Sequence, residues 1–527
     1  MRSDPFPSPC FSSAFRYPAG VHSTQPHLKA DVVIVGAGPA GLACAIRLAR
    51  ASNRPRQILV LEKSALPGRH LLSGAVMRPE ALKTLLTPEE FAALPLGPIV
   101  TADSFHALTP GGSFRLPFVP PKMRMKNLPL VSASELAPAL AGIAESLGVE
   151  ILLAQTADAL IWDENRVAGV TSDGETILAD ATVLAEGPAG LLSRDLFDRH
   201  PEMRGRNLQT HGIGLKELIE VPASTGPAGS VAHTFGFPLG LSVYGGGFIY
   251  HIDDTHVALG LALALDYTDP AIHPHELFRQ WKRHPFVQRH IAGGSVLEYG
   301  ARLVPEGGIH SLCRLEAPGA FVIGDSAGLV DTMELKGLHL AVESGIAVAN
   351  AIQRGDAVRM EDIPSLDGLR KTANYRAAFR AGLLPGMAAA GLAWLTGGRI
   401  PWGRIPQRNE RTCLHPSRRA PAPPAPSRDA LDLNLDADLF QSRLRYHEGN
   451  EHIEIRDTTI CRECFELYEA PCTRFCPANV YEATDESSIQ IRPENCVQCR
   501  CCTLKCPYDN IDWQTPKNGD GPGYRRL

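Results

Sequence analysis

Residues 31–42 read DVVIVGAGPAGL and run on as ACAIRLAR. A Val/Ile-rich strand passes through a glycine-rich turn into a helix, and this order constrains the chain more than any other feature. Gly36 permits the tight turn, Gly38 lets backbone approach a pyrophosphate, and Gly41 lets helix and strand pack closely. Pro39 and Ala40 open the helix, whose unpaired N–H groups and dipole favour a phosphate. A second strand, QILVLE at 57–62, ends in Glu62, 21 residues after Gly41. A carboxylate there can accept hydrogen bonds from ribose hydroxyls. Strand, glycine triplet, helix, strand and terminal acid together predict an α/β, dinucleotide-binding fold.

Two later segments favour FAD over NAD. LAEG at 184–187 follows a strand-like stretch and places Gly187 in a second loop toward the nucleotide. AFVIGD at 320–325 ends a third strand in Gly324 and Asp325, and an apolar helix follows over 337–353. This resembles the Gly-Asp of glutathione-reductase-like and hydroxylase-like flavoproteins, which contacts the ribityl and pyrophosphate region. The plainer role for Asp325 is a helix N-cap, and the two can coexist. No second glycine triplet follows a strand, so the electrons are expected to come from something other than a nicotinamide.

Nine of the 13 cysteines fall between Cys461 and Cys506. A disulfide scaffold suits small secreted domains better than the tail of a long, otherwise Cys-poor chain. Cys496, Cys499, Cys502 and Cys506-Pro507 have the C-x2-C-x2-C-x3-C-P spacing of bacterial ferredoxins, in which the fourth cysteine reaches the other cluster. Upstream, Cys461, Cys464, Cys472 and Cys476-Pro477 repeat this with a widened middle gap. Exchanging the fourth cysteines gives two ligand sets: Cys476, Cys496, Cys499 and Cys502, and Cys461, Cys464, Cys472 and Cys506. Cys501 is left over. A zinc site would want two separated pairs. Cys44 falls on the first helix and reads as core.

The rest of the composition is that of an ordinary globular protein. Hydrophobic residues make up 44% and charged residues 21%, with a net charge of −5. That charge argues against nucleic acid as a partner. The expected organisation is a disordered leader over 1–27, with a mitochondrial transit peptide as the alternative, and an FAD-binding domain over 28–410 with an interleaved region. A Pro-rich linker over 411–430 and a [4Fe–4S] ferredoxin-type domain over 431–527 complete it. The fold class is α/β: a Rossmann-like FAD-binding fold with an interleaved α+β region and a C-terminal ferredoxin-like domain.

From about residue 30 onward the sequence resembles the electron-transfer-flavoprotein:ubiquinone oxidoreductase family. The resemblance rests on THGIGLKEL (210–218), VYGGGFIYH (243–251), EYGARLVPEGG (298–308), FCPANVYEAT (475–484) and NCVQCRCC (495–502), among others. It implies FAD, one [4Fe–4S] cluster on Cys476, Cys496, Cys499 and Cys502, and electron transfer flavoprotein or a similar protein donor as partner. It also implies quinone contact at Tyr244, Gly245 and Gly246, on the surface of a bacterial inner membrane (cytoplasmic face) or a mitochondrial inner membrane. The cysteines of the second set depart from the family, so a second cluster would be an addition. Asp325, Asp331 and Glu334 make the segment after Gly324 more acidic than usual.

No run of about 20 apolar residues exists to span a bilayer. The apolar stretch 381–396 contains Pro385, is flanked by Arg380, Arg399 and Arg404, and has Trp394 and Trp402 at its end. It reads either as a monotopic anchor or as a core helix; residues 67–86 offer a second apolar surface. His251 and His339 are the nearest candidates to protonate quinone, though each reads more simply as a surface or core histidine. Two rival functions stand beside this one: a ferredoxin-dependent flavin reductase of isoprenoid double bonds, and a non-catalytic electron relay.

Overall fold

The computed structural model describes residues 28–50, 56–73, 76–188, 190–222, 225–334, 336–396, 403–416, 435–449, 451–484 and 488–527. The leader (1–27) and most of the Pro-rich linker lie outside the described residues, as do Arg399 and Trp402.

The strand Leu28–Val35 lies at the centre of the first sheet. It pairs in parallel with Ile58–Glu62 on one side and Glu175–Leu184 on the other. Glu150–Leu153 extends the first flank and Ala320–Val322 the second, both in parallel. Burial on both faces explains the continuous Val/Ile/Leu composition of these strands. The helices Pro39–Arg50 and Leu338–Arg354 pack tightly together, because Gly345 has no side chain to strike Ala40; a Cβ there would lie 2.3 Å from the Ala40 carbonyl oxygen. Cys44 is fully buried in this core. Since the strands run the same way, Val35, Glu62, Leu184 and Val322 all end at one edge. The loops carrying Gly36, Gly187 and Gly324 therefore meet there, where open α/β sheets bind ligands.

The second sheet has seven strands in the order Ser295–Pro305, His211–Glu220, His256–Ala264, Gly245–His251, Ser230–Gly236, Ala102–Thr109, Gly112–Arg115. All neighbours are antiparallel except Ser230–Gly236 and Ala102–Thr109. The helix Pro274–Lys282 covers part of it and buries Phe278 and Trp281 completely.

The Cys-rich unit is small. Two short antiparallel pairs, Ile453–Ile455 with Ile511–Trp513 and Tyr481–Ala483 with Ile489–Ile491, frame three helices: Thr458–Tyr468, Cys472–Phe475 and Cys501–Lys505. Its core is continuous with that of the second sheet, joining Phe475, Val480 and Trp513 to Phe278, Trp281 and Tyr299. Tyr299 Oη donates to the Pro477 carbonyl at 2.7 Å. Lys505, also fully buried, donates to the carbonyls of Leu265 (2.7 Å), Tyr267 (2.8 Å) and Glu410 (3.2 Å). An ammonium in apolar surroundings needs such partners, so Lys505 ties the unit to one orientation.

Candidate functional site

Gly36 has φ +108° and accommodates no side chain: a Cβ would lie 2.4 Å from the Ala185 carbonyl oxygen. Gly41 is similarly closed, its Cβ falling 2.1 Å from the Gly36 carbonyl oxygen. Gly38 differs, since a Cβ there would meet nothing within 4 Å. It faces open space at the N-terminus of Pro39–Arg50, where a phosphate fits. Glu62 is buried and already engaged. Its Oε2 accepts from the Ala37 N–H (2.8 Å), and its Oε1 accepts from Ser64 N–H (2.9 Å) and Oγ (2.7 Å). The carboxylate therefore braces the glycine turn from the side facing the cavity.

The other loops are held as firmly. Glu186 accepts from the N–H groups of Leu192 (3.0 Å) and Ser193 (2.7 Å), the first turn of the next helix. Ser326 Oγ donates to the Gly187 carbonyl at 2.9 Å. Asp325 caps neither the turn Gly324–Ala327 nor the helix Leu338–Arg354. The N-cap alternative is thus not what the fold adopts. Its carboxyl is pushed up to about 6 by burial, which outweighs the opposing fields of Arg302 and His211.

These residues line one cavity of about 790 Å³. Gly36, Gly38, Pro39, Ala40, Glu62, Gly187, Gly324 and Asp325 form one region of its wall; Gly41 lies behind it, in the helix–strand contact. Tyr244, Gly245 and Gly246 form another, with Tyr375 and Phe379. Gln498, Cys499, Arg500 and Trp513 of the Cys-rich unit form a third. A volume of this order suits a bound organic cofactor or substrate. His70 lies on the wall with both ring nitrogens buried and unpartnered, so the lining leaves polar capacity for a ligand.

Gly245, Gly246 and Gly247 open the strand Gly245–His251. A Cβ would strike the Ala262 carbonyl at Gly245, the Thr234 carbonyl at Gly246 and the Trp281 ring at Gly247. Packing alone thus demands glycine at all three, while Gly245 and Gly246 also present bare backbone to the cavity. Tyr244 packs at a tilt against Phe379 (centroids 4.6 Å) under the Arg376 guanidinium, 4.8 Å from its ring. Arg376 is itself paired with Asp266 (2.6 Å) and Glu306 (2.8 Å).

The helix Leu383–Leu395 borders the same region, with Leu383, Met387 and Leu395 on the cavity wall. Pro385 lies in its first turn, where the missing N–H costs nothing, so the proline does not interrupt it. Leu384 is 63% and Leu395 75% exposed. Residues 67–86 do not form the second apolar surface expected: Val76, Met77, Leu82, Leu85 and Leu86 are all core. No helix among the described residues is long and apolar enough to cross a membrane.

Cys476, Cys496, Cys499 and Cys502 are all buried and line a common small void, with Cys501 beside them. The Tyr481 hydroxyl and Trp513 Nε1 are buried there without oxygen or nitrogen partners; their neighbours are the thiols of Cys502 and Cys496. Donors turned toward sulfur suit thiolate-bound iron. Among the described residues no three His, Cys, Asp or Glu side chains converge on a single ion; an iron–sulfur cube instead engages each thiolate through its own iron. Cys461, Cys464, Cys472 and Cys506 lie outside this void.

His251 faces His290 (3.0 Å) and His339 is buried in Leu338–Arg354, so neither borders the cavity. Two of the extra acids are engaged: Glu334 pairs with Arg78 (2.9 Å) and Lys122 (3.1 Å), and Asp331 accepts from the N–H groups of Met333 and Glu334. Arg302, Arg376, Lys63 and Lys216 carry no motif signal in the sequence. Arg302 and Lys216 fall within 298–308 and 210–218, where spacing along the chain does not distinguish them. Burial pushes Lys63 down to about 7 and Lys216 down to about 8, and both line the cavity.

Three family models match. One described as "Pyridine nucleotide-disulphide oxidoreductase" covers residues 30–221, one as "ETF-QO, ubiquinone-binding" covers 211–304, and one as "Electron transfer flavoprotein-ubiquinone oxidoreductase, 4Fe-4S" covers 432–525. The chain is 35% identical to the mitochondrial electron transfer flavoprotein-ubiquinone oxidoreductase of Oryza sativa, over 94% of this chain and 92% of that protein. It is 33% identical to the protein of that name from Pseudomonas aeruginosa, over 95% and 99%. To the human mitochondrial protein it is 32% identical, over 96% and 91%.

Proposed function

The chain belongs to the electron transfer flavoprotein-ubiquinone oxidoreductase family, and from that premise we propose how its own residues carry the activity. The enzyme oxidises a reduced electron transfer flavoprotein and reduces quinone, using a [4Fe–4S] cluster and FAD. FAD is held by Gly36, Gly38, Pro39, Ala40, Gly41, Glu62, Gly187, Gly324 and Asp325. The cluster is held by Cys476, Cys496, Cys499 and Cys502, and quinone contacts Tyr244, Gly245 and Gly246. When bound, FAD joins single-electron exchange with iron–sulfur to two-electron reduction of quinone.

One observation supports the reading above all: the FAD and quinone residues share the walls of a single cavity, and Cys499 of the cluster set reaches it. Electron transfer needs proximity, burial and tuned potentials, and no acid–base triad. Arg302 places a fixed positive charge beside Gly187 and Asp325, where a pyrophosphate or reduced flavin needs compensation. Lys216, lowered to about 8 by burial, can hold or release a proton near neutral pH. Arg376 orients the Tyr244 ring, and its charge is absorbed by Asp266 and Glu306.

The exposed apolar side of Leu383–Leu395, with Leu241 (60% exposed) beside it, is the membrane-contact surface. The helix is about 20 Å long, so it lies in one leaflet as a monotopic anchor and does not span. A lipid-soluble quinone would enter beneath it, past Met387 and Leu395. The membrane face is the cytoplasmic one in a bacterium, or the inner membrane in a mitochondrion.

The test is stopped-flow. Reduced electron transfer flavoprotein should bleach the bound flavin, and a soluble quinone analogue should restore its absorbance. Bleaching without recovery would refute quinone as the acceptor. Consumption of an isoprenoid double bond in place of quinone would favour the reductase alternative.

A further inference from the structure

We propose that Cys461, Cys464, Cys472 and Cys506 hold a second [4Fe–4S] cluster, lying between the protein surface and the first. The proposal rests on the reading above, which supplies the first cluster.

The helix Thr458–Tyr468 starts at Asp457, whose side chain accepts from the Thr459 N–H at 2.8 Å. Cys461 and Cys464, three residues apart on it, share one face. The helix ends at Glu469 (φ 55°) and continues through Ala470 (φ 48°), both left-handed. Two non-glycine residues in this conformation redirect the chain, and Cys472 opens the next helix within electrostatic range of Cys464 and Cys461. This change of direction falls within the seven residues between Cys464 and Cys472, where a ferredoxin has two.

Cys506 closes the set. It follows the helix Cys501–Lys505 and does not line the void of the first four cysteines. Instead it lies within electrostatic range of Cys461, Cys464 and Cys472. Asn510 fastens two of the thiols together. Its backbone N–H faces Cys506 Sγ at 3.4 Å and its side-chain amide faces Cys461 Sγ at 3.6 Å, while that amide also donates to the Asp457 carbonyl at 2.7 Å. N–H groups directed at sulfur support a thiolate-ligated cluster. Cys476, four residues after Cys472 and just past its helix, belongs to the other void. Each segment thus gives its Pro-linked cysteine to the other set, the ligand exchange of two-cluster domains.

The two sets differ in depth. Cys476, Cys496, Cys499 and Cys502 are buried, and Cys499 reaches the large cavity. Cys461, Cys464 and Cys472 are partly exposed. The second cluster is therefore the entry port. With both sets loaded, the outer cysteines and then Cys476, Cys496, Cys499 and Cys502 would hold one-electron stations between the donor's reduced flavin and FAD. Two electrons passed this way, with two protons taken from water, would convert quinone to quinol.

The full chain, purified without oxygen, is assayed for iron, acid-labile sulfide and zinc per FAD. The proposal expects about eight irons and eight sulfides. It expects a low-temperature spin-resonance spectrum of the reduced protein broadened by coupling between two clusters. In the C461S/C464S double variant, iron falls to about four while FAD content and the simple spectrum of the first cluster persist. About four irons in the unaltered protein, with or without zinc or a disulfide on the outer cysteines, overturns the second cluster and leaves the first standing. No iron at all overturns both. Eight irons retained in the double variant overturns the ligand assignment. If that variant does not fold, the unaltered protein's count and coupled spectrum decide.

Discussion

Gly36 and Gly38 lie two residues apart and answer to different constraints. A side chain at Gly36 would strike the Ala185 carbonyl, whereas one at Gly38 enters the cavity. Gly36→Ala is expected to cost at least about 3 kcal/mol of fold stability. Gly38→Val should leave the thermal stability of the FAD-free protein unchanged and abolish FAD retention; melting curves and flavin absorbance separate the two. Asp325 makes a pH prediction. Its folded-state value is raised from 3.8 to about 6, so its favourable share of stability is complete below about 4 and is lost as pH rises through 6. The loss is about 3 kcal/mol. The FAD-free protein should lose stability over that window, and Asp325→Asn should remove that part of the slope, as read by denaturant unfolding at pH 4 to 7. The glycine triplet and the ferredoxin-type spacing were legible because backbone approach and cluster chelation fix residue type at short sequence intervals. Arg302 and Lys216 were not, since they become neighbours of the cofactor loops only through the pairing of distant strands.

The helix Leu383–Leu395 is short, apolar and exposed where an ordinary surface helix would be polar. Replacing Leu384 and Leu392 by Glu tests its role, because neither lines the cavity. Each leucine immersed in acyl chains contributes about 1.5–3 kcal/mol. The double variant should therefore bind vesicles about 100-fold more weakly or worse in a flotation assay, yet reduce a soluble quinone analogue at the unaltered rate. Equal vesicle binding would make the exposed leucines incidental. Sequence alone left this segment open between anchor and core, because a run of apolar residues carries no record of which neighbours cover it. Pro385 shows the same limit: it marks a break in the interior of a helix but is neutral in the first turn, and only the fold says which. The glycines at 245–247 are a packed strand in the structure, their small size dictated by Trp281 and the neighbouring carbonyls.

At the scale of the whole molecule, the Cys-rich unit is an extension of the second sheet's core. Lys505 and Tyr299 fix it so that Cys499 and Arg500 close one side of the large cavity. The α/β class and the ferredoxin-type tail were visible as separate motifs, but their apposition was not, because it depends on contacts between residues 178 and 240 positions apart. Spin relaxation measures that apposition directly. In the full protein, partially reduced so that a flavin radical and a reduced cluster coexist, microwave power saturation of the radical should require much more power than after the first cluster is removed by Cys499→Ser. A radical that saturates at the same power with and without the reduced cluster would place the two centres too far apart for this account.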